Sequence, residues 1–478
     1  MVCSVVASQR PSIGEGVDFL FRPRGVAVIG ASRHPGKVGY MVLYNLKNSY
    51  RGPIYPVNPN ATEILGLKAY PSVLDVPDPV ELAVIVVPAP RVPEVMDQVG
   101  RRGIKTAIII SAGFREVGEE GAKLEEEVLR IARRYGVRIL GPNCLGVYSP
   151  STGINTTFLD PEKQSLPGNG PIAFISQSGA LGSALLDVAA LRGLGMSKFI
   201  SIGNRADIDE ADLLAYLKND YHTKVIAIYV EGVEDGPVFR KALEDTTPVK
   251  PVVVLKAGKT SAGARAAASH TGSLAGSYQI YNAVFKQTGA IEVLHTEELF
   301  DVAQALALQP PMRGDRVAII TVGGGSGVMA TDWLSELGFQ VPLFSKEIQE
   351  KLRKILLPIA SPRNPVDITG SGTEDHMAES TRIAIESGEV DGIFLIPYFN
   401  IATMTERLAD LMEPIAQKAK EMGIPIVASV TGGQKSWRIA KLFEAKTGIP
   451  VYPGEHRAAR ALWALRLYGR WLQRIGKL

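Results

Sequence analysis

Short β-branched runs, apolar on both faces, recur along the chain, each followed by a glycine- or proline-containing turn and a helical pattern. Gly25–Ile29, Ile54–Val57, Leu82–Val87, Thr106–Ile110 and Val137–Leu140 predict five strands. Val38–Asn48 predicts a helix after the first of them, and the charged periodic stretch Glu119–Tyr135 a long helix before the fifth. Strands without a polar face, separated by helices, predict a parallel sheet covered on both sides. A turn-rich stretch, Ser149–Gly170, ends this series. The second series has strands at Ile172–Ser176, Lys198–Ser201, Val225–Val230, Val252–Lys256 and Ile291–Val293, with helices over Ala180–Leu194 and Ala211–Asn219. Gln309–Asp315 (QPPMRGD) has no apolar period and reads as a linker. Beyond it, Val317–Val322, Gly392–Pro397 and Pro425–Val430 begin a third series, closed by a basic helical stretch near His456–Leu478. The expectation is an α/β protein of three doubly wound domains, residues 1–149, 150–309 and 310–478.

Composition narrows the chemistry. With 478 residues the chain has room for three domains, and 46% apolar with 21% charged residues suits a soluble protein with large cores. Fifty-two basic against 49 acidic side chains leave +3, too weak a field for binding nucleic acid or membrane by charge alone. Two cysteines, Cys3 and Cys144, exclude a disulfide framework or a zinc finger. The opening MVCSVVASQR lacks the order of a signal peptide, and no uncharged apolar stretch approaches a membrane span. The arginine-laced end, RAARALWALRLYGRWLQRIGKL, reads as a packed amphipathic helix. A cytoplasmic protein without nucleic-acid or membrane partners is expected.

The first strand runs into VIGASRHPGKVG, with Gly30, Gly36 and Gly39 in the turn that opens the first helix. Glycines there let main-chain N–H groups approach a phosphate at a helix N-terminus; a merely tight turn is the alternative. The spacing is not G-x-G-x-x-G. A dinucleotide site also needs a carboxylate at the end of the second strand for the ribose. Here that strand ends Val57-Asn58-Pro59-Asn60, with no carboxylate before Glu63, which argues against NAD. Lys37 and the uncharged second loop suit a ligand with an additional phosphate. The remaining strand ends, VVPAP (86–90), SAGF (111–114) and GPNCLG (141–146), lie where doubly wound sheets bind ligands. Cys144 reads as a small buried hydrophobe, with a reactive thiol as the alternative.

Five histidines, His34, His222, His295, His376 and His456, sit in ordinary surface-like contexts. His270 differs: it lies in SAGARAAASHTGSLAG (261–276), nearly all small residues, which packing cannot pin as a loop. The segment is expected to be mobile or to receive a large anionic partner. A nucleophilic histidine needs its second ring nitrogen held by an acceptor. Glu231, at the tip of Val225–Val230, is a reasonable one; a capping or solvated glutamate is the alternative. Two further turns open helices, Ser176-Gln177-Ser178-Gly179 and Gly323-Gly324-Gly325-Ser326-Gly327. Both suit a phosphoryl dianion, and neither has Walker-A spacing. The acidic run Asp207–Asp212 resembles a metal loop, yet acidic residues favour a first helical turn anyway, and no metal site is expected.

Taken in order, VIGAS with GKVG, YPVNP, VVPAP, GPNCLG, SQSGA, SIGN, YVEG and SHTGSLAG resemble the alpha subunits of ADP-forming acyl-CoA synthetases, relatives of succinyl-CoA synthetase. The resemblance covers nearly the whole chain. It implies a Rossmann-like CoA-binding domain followed by two flavodoxin-like ligase domains. Gly30, Ala31, Ser32 and Lys37 would meet the CoA phosphates. Val57, Asn58, Pro59, Val87, Pro88, Ser111, Ala112 and Gly113 would line its path, with Asn143 and Cys144 near the thiol end. Relatives often carry lysine where this chain has Asn60. The phosphorylated histidine falls on His270, its orienting glutamate on Glu231. The phosphate-holding turns fall on Ser176–Gly179 and Gly323–Gly327.

The implied reaction is acyl-CoA + ADP + phosphate giving acid, CoA and ATP, with acetate as the acid, through an acyl phosphate and phosphohistidine. ADP/ATP with Mg would be bound mainly by a separate ATP-grasp beta subunit, in an assembly of two alpha and two beta chains. Two alternatives remain. A succinyl-CoA synthetase-type ligase would place the third domain in its beta subunit. A non-catalytic CoA-binding regulator need not retain His270 with Glu231.

Overall fold

The computed structural model describes residues 12–271 and 277–478, and of residues 267–271 the backbone only. The chain divides into two compact units, the first running through Glu292 and the second from Val293. Two large sheets and a small antiparallel pair, Glu63–Ile64 with Leu67–Lys68, lie in the first unit. One is wholly parallel, in the order Ile54–Val57, Val26–Ile29, Leu82–Ile85, Thr106–Ile109, Arg138–Leu140. Every residue of Val26–Ile29, Leu82–Ile85 and Thr106–Ile109 is buried, as runs apolar on both faces require. Alternate residues feed opposite cores: Val26 and Val28 pack with Val42, Leu43 and Leu46 of the helix Val38–Ser49. Ala27 and Ile29 pack with the cluster that includes Val95, Met96 and Val99 of Val92–Arg102. Each such buried Val, Leu or Ile contributes about 1.5–3 kcal/mol against exposure.

The second sheet has the order Ile291–Val293, Val252–Lys256, Val225–Val230, Asn169–Ser176, Met196–Ser201, Gly146–Ser149, Ile154–Asn155. Its centre is parallel, but Gly146–Ser149 and Ile154–Asn155 join antiparallel. The sequence reading put Gly146–Ser149 at the end of the first series; the fold uses it as a strand of the second sheet. Strand order reverses beside Asn169–Ser176, because the chain steps to Met196–Ser201 on one side and then to Val225–Val230 on the other. Such a reversal opens a crevice at the carboxyl ends of the strands.

The small-residue segment is not a loop throughout: Ser261–Thr271 is α-helical. Its alanines are the best helix formers and outweigh the lack of packing groups. The rest of the segment, 272–276, lies outside the described residues. The acidic run also resolves into fold contacts. Asp209 and Asp212 form a capping box on the helix Glu210–Asn219. Arg138 Nε donates to Asp207 at 2.8 Å, its Nη2 lies 3.2 Å from Asp212, and its Nη1 donates to the Glu15 carbonyl at 2.5 Å. Glu210 pairs with Arg205 at 3.3 Å.

The second unit holds a parallel sheet in the order Val366–Asp367, Val317–Thr321, Gly392–Ile396, Ile426–Ser429, Val451–Tyr452. Its closing helix, Glu455–Arg474, buries an apolar stripe and packs on Thr296–Leu308. Arg457 pairs with Asp301 at 2.6 Å and Arg460 with Glu298 at 2.5 Å, which ties Thr296–Leu308 to this unit.

Candidate functional site

At the reversal point of the first sheet, Gly30 adopts a φ of 91°, and a Cβ there would stand 2.7 Å from the Val86 carbonyl oxygen. Only glycine lets the first turn approach the third strand so closely. Asn58 Nδ2 donates to the Ala31 carbonyl at 2.8 Å, so the second turn braces the first. Asn58 Oδ1 also accepts from Asn60 N–H at 2.8 Å. Arg33, which the sequence reading passed over, extends Nη2 to the Asn60 carbonyl at 3.5 Å and brings a cation beside that position. Ser32 Oγ accepts from His34 N–H, and exposed Lys37 precedes the helix Val38–Ser49. Ser111 donates to the Val87 carbonyl at 2.5 Å. Gly113 N–H donates to Glu116 at 2.6 Å. Val57 and Val87 are buried, while Pro59 and Pro88 at the same strand ends are exposed.

The last turn of this sheet is fastened to the second. Asn204 and Ala206 N–H donate to the carbonyls of Pro142 and Gly141 at 2.8 and 3.0 Å, and Leu145 N–H donates to Ser201 Oγ at 3.0 Å. Asn143 Nδ2 reaches Asn204 at 3.3 Å. Asn204 in turn donates to both Glu116 and Glu125, at 2.6 and 2.9 Å. One cleft of about 780 Å³ results, lined by Ser111, Ala112, Asn143 and Cys144 from the first sheet and by Gln177, Ser178 and Gly179 from the second. Its apolar wall is Val38, Ile110, Leu145, Phe158 and Leu159. Cys144 is buried, donates to the Ile109 carbonyl at 3.4 Å, and its thiol is pushed up to about 12 by burial. Alkylation at pH 8 is therefore expected to leave Cys144 unmodified in the folded chain and to label it after unfolding, as read by peptide mass mapping.

The turn after Asn169–Ser176 opens the helix Gly179–Leu191. Ser178 Oγ caps it, accepting from Leu181 N–H at 3.3 Å. First-turn N–H groups lack intrahelical partners and present a positive end. Of the four residues expected to hold phosphate here, Ser176 and Gln177 also bond to other parts of the fold. Buried Ser176 donates to the Ser178 carbonyl at 2.7 Å. Gln177 Oε1 accepts from the N–H groups of Glu231 and Gly232 at 2.6 and 3.1 Å, and its Nε2 donates to the Gly232 carbonyl at 2.7 Å and to Glu210. Its own N–H donates to the Tyr229 carbonyl. Gln177 thus holds the Glu231 turn while lining the cleft beside the Ser178–Gly179 helix end.

Glu231 is itself buried, at the tip of Val225–Val230, and its carboxylate receives the Tyr229 hydroxyl, whose pKa is raised by burial and by this neighbour. Two buried cations that the strand pattern did not single out also meet this turn. Arg205 donates to the Gly232 carbonyl at 2.6 Å, and Lys256 donates to the Glu231 carbonyl at 2.8 Å. A lysine ending the otherwise apolar run VVVLK was the available signal for Lys256. The side chain of His270 lies outside the described residues; its backbone belongs to Ser261–Thr271.

In the second unit, Gly323 caps the helix Gly324–Glu336 at the end of Val317–Thr321. Thr321 Oγ1 accepts from Gly323 N–H at 3.0 Å, and Ser326 Oγ shares a hydrogen bond with the Tyr398 hydroxyl at 2.5 Å. Buried Gly327 donates its N–H to the Gly323 carbonyl. A Cβ on Gly325 would meet open space, while one on Gly324 would stand 2.8 Å from Asp367 Oδ2. The open N–H face at Gly324 and Gly325 therefore lies next to a carboxylate that sequence reasoning missed.

Three family matches tile the chain. Residues 24–150 match the CoA binding domain, residues 169–306 the succinyl-CoA ligase like flavodoxin domain, and residues 317–475 the Ligase-CoA domain. The chain is 44% identical to the alpha subunit of acetate–CoA ligase [ADP-forming] I of Pyrococcus furiosus, over 95% of this chain and 98% of that one. It is 44% identical to acetate–CoA ligase [ADP-forming] I of Archaeoglobus fulgidus, over 95% of this chain but 64% of that longer one. The solved dinucleotide forming acetyl-coenzyme A synthetase 1 of Ca. Korarchaeum cryptofilum, in complex with phosphate and ADP, superimposes with a TM-score of 0.88 at 39% identity, covering 96% of this chain and 98% of that chain. With its strand-end turns, its order of domains and these similarities taken together, the chain belongs to the alpha-subunit family of ADP-forming acetate–CoA ligases, within the succinyl-CoA ligase group.

Proposed function

We propose that the chain carries the acyl and phosphohistidine steps of an ADP-forming acyl-CoA synthetase, with acetate as the acid. CoA lies along the first sheet, its phosphates at Gly30–Ser32, Lys37 and Arg33 and its thiol end at Asn143. Phosphate at the Ser178–Gly179 helix end attacks the thioester carbon; the C–S bond breaks, and the products are acyl phosphate and CoA. The His270 ring nitrogen then takes the phosphoryl group and releases the acid. Finally ADP takes it from phospho-His270 and ATP leaves. No redox partner enters, and catalysis rests on positioning and on stabilising phosphoryl oxygens. Glu231 accepts from the second ring nitrogen and stabilises the charged phospho-form.

One observation carries this reading: the residues expected at the CoA thiol end and those at the phosphate-holding helix end line one cleft. ADP/ATP with Mg is assigned to a partner beta subunit of ATP-grasp type, in an assembly of two alpha and two beta chains in the cytoplasm. The name "subunit alpha" of the Pyrococcus relative and the greater length of the Archaeoglobus one support a partner. The test is to incubate the chain and its partner with acetyl-CoA and labelled phosphate. An acid-labile, base-stable label on the peptide carrying His270 is expected; label confined to any other residue overturns the reading.

A further inference from the structure

We propose that Lys256 is a positioning residue of the phosphoryl transfer assigned above: its ammonium group locks the main chain beneath Glu231 to the start of the segment that carries His270. The inference rests on that assignment. Lys256 ends the strand Val252–Lys256 and is 1% exposed. Its Nζ donates to the Glu231 carbonyl at 2.8 Å and to the Ala257 carbonyl. Ala257 is the first residue of the connection that leads into the helix Ser261–Thr271, where His270 lies. One cation thus joins the strand tip bearing the orienting carboxylate to the root of the element bearing the nucleophile.

The rest of the turn is fixed as completely. Glu231 N–H and Gly232 N–H are held by Gln177, the Gly232 carbonyl by Arg205 and Gln177, and Val233 N–H by the Tyr281 hydroxyl at 2.9 Å. Each main-chain donor and acceptor from Glu231 N–H to Val233 N–H therefore meets a side chain from a different part of the unit. Tyr281 also presents its ring to Lys256, with Nζ 4.6 Å from the ring centre. The carboxylate, which accepts from the Tyr229 hydroxyl, projects from a rigid base.

Packing alone does not call for lysine. A methionine would fill the space, whereas a buried ammonium group must be desolvated, and burial pushes its pKa down to about 8. The charged groups facing it are Glu231, Glu292 and Lys259. What the ammonium adds is directional: two hydrogen bonds to two strand tips. A small displacement of a positioned catalytic group can cost about 10²-fold in rate.

The experiment uses the full chain with its partner and compares wild type, Lys256→Met and Lys256→Ala in His270 labelling from acetyl-CoA and labelled phosphate. Both variants are expected to label about 10²-fold more slowly, with the dissociation constant for CoA and the KM for acetyl-CoA changed less than twofold. Propylammonium, which replaces the deleted atoms of Lys256→Ala, is expected to restore at least a tenth of the wild-type rate; propanol is not. Labelling of Lys256→Met at the wild-type rate overturns the inference. So does a loss of CoA binding that matches the loss of labelling, or an absence of rescue by propylammonium. Wild type that takes no label on His270 overturns the parent assignment instead.

Discussion

His270→Ala is expected to abolish the acid-labile label, and Glu231→Gln to slow its formation by up to about 10⁴-fold, the loss that follows replacing a carboxylate that holds a catalytic histidine in its tautomer. The second substitution is unusually clean here. The Glu231 turn is held through its main chain by Gln177 and Lys256, so exchanging the carboxylate for an amide leaves the turn in place. The Tyr229 hydroxyl can still donate to the remaining carbonyl oxygen. What is lost is the negative charge and the acceptor of the second ring N–H, so rapid-quench labelling should fall while CoA titration stays unchanged. Turnover at the wild-type rate in Glu231→Gln would remove Glu231 from the mechanism and leave it a buried structural acid.

Arg138→Met is expected to destabilise the first unit by about 3–5 kcal/mol, because it strands buried carboxylates without their counter-charge. Arg138 and Asp212 have side chains only 4% and 2% exposed, and Asp207 is 11% exposed. Desolvation already raises the pKa of Asp212, with Arg138 acting against it. Once the guanidinium is gone, Asp207 keeps the Ile139 N–H at 2.8 Å but loses the counter-charge of Arg138. The hydrogen bond from Arg138 to the Glu15 carbonyl, which anchors the chain before Val17–Leu20, is lost as well. Equilibrium unfolding in urea, followed by tryptophan-independent far-UV dichroism, measures the effect. A change below about 1 kcal/mol would show that the cluster is solvated rather than load-sharing. Adding Asp207→Asn and Asp212→Asn to Arg138→Met should recover part of the loss, since removing all the charged partners costs less than orphaning some of them.

The strands were legible because they are buried on both faces, which leaves the same β-branched mark whatever lies around them. Val225–Val230, Val252–Lys256 and Ile291–Val293 have the bounds the pattern predicts. Gly146–Ser149 was misplaced because its partner, Met196–Ser201, lies far along the chain, and periodicity carries no record of pairing. The helix Ser261–Thr271 was read as a loop because its sequence carries no apolar stripe at helical spacing; alanine propensity decided instead. At the candidate site, the position of Ser178 and Gly179 at a helix start and of Glu231 at a strand tip was legible from the turn and strand pattern. Gln177 lines the cleft as expected, but its bonds to the Glu231 turn were not legible, because a sequence motif does not reveal where an amide points. Arg205, Asn204, Tyr281 and Lys256 act through contacts between distant segments, and only folding brings these together.

The fastening of the Gly141–Leu145 turn to residues 201–206 bears on timing. Two-layer enzymes commonly bring cofactor and reaction centre together by swinging one lobe over a hinge, and that closure then limits the cycle. Here the turn proposed to meet the thiol end runs straight into a strand of the sheet bearing the Ser176–Gly179 turn, and cross-bonds bind the two. There is no slack to take up. Under the proposed function, the thioester is delivered to a place already built, and a slow conformational step in the cycle is expected in the passage of the phosphoryl group away from it.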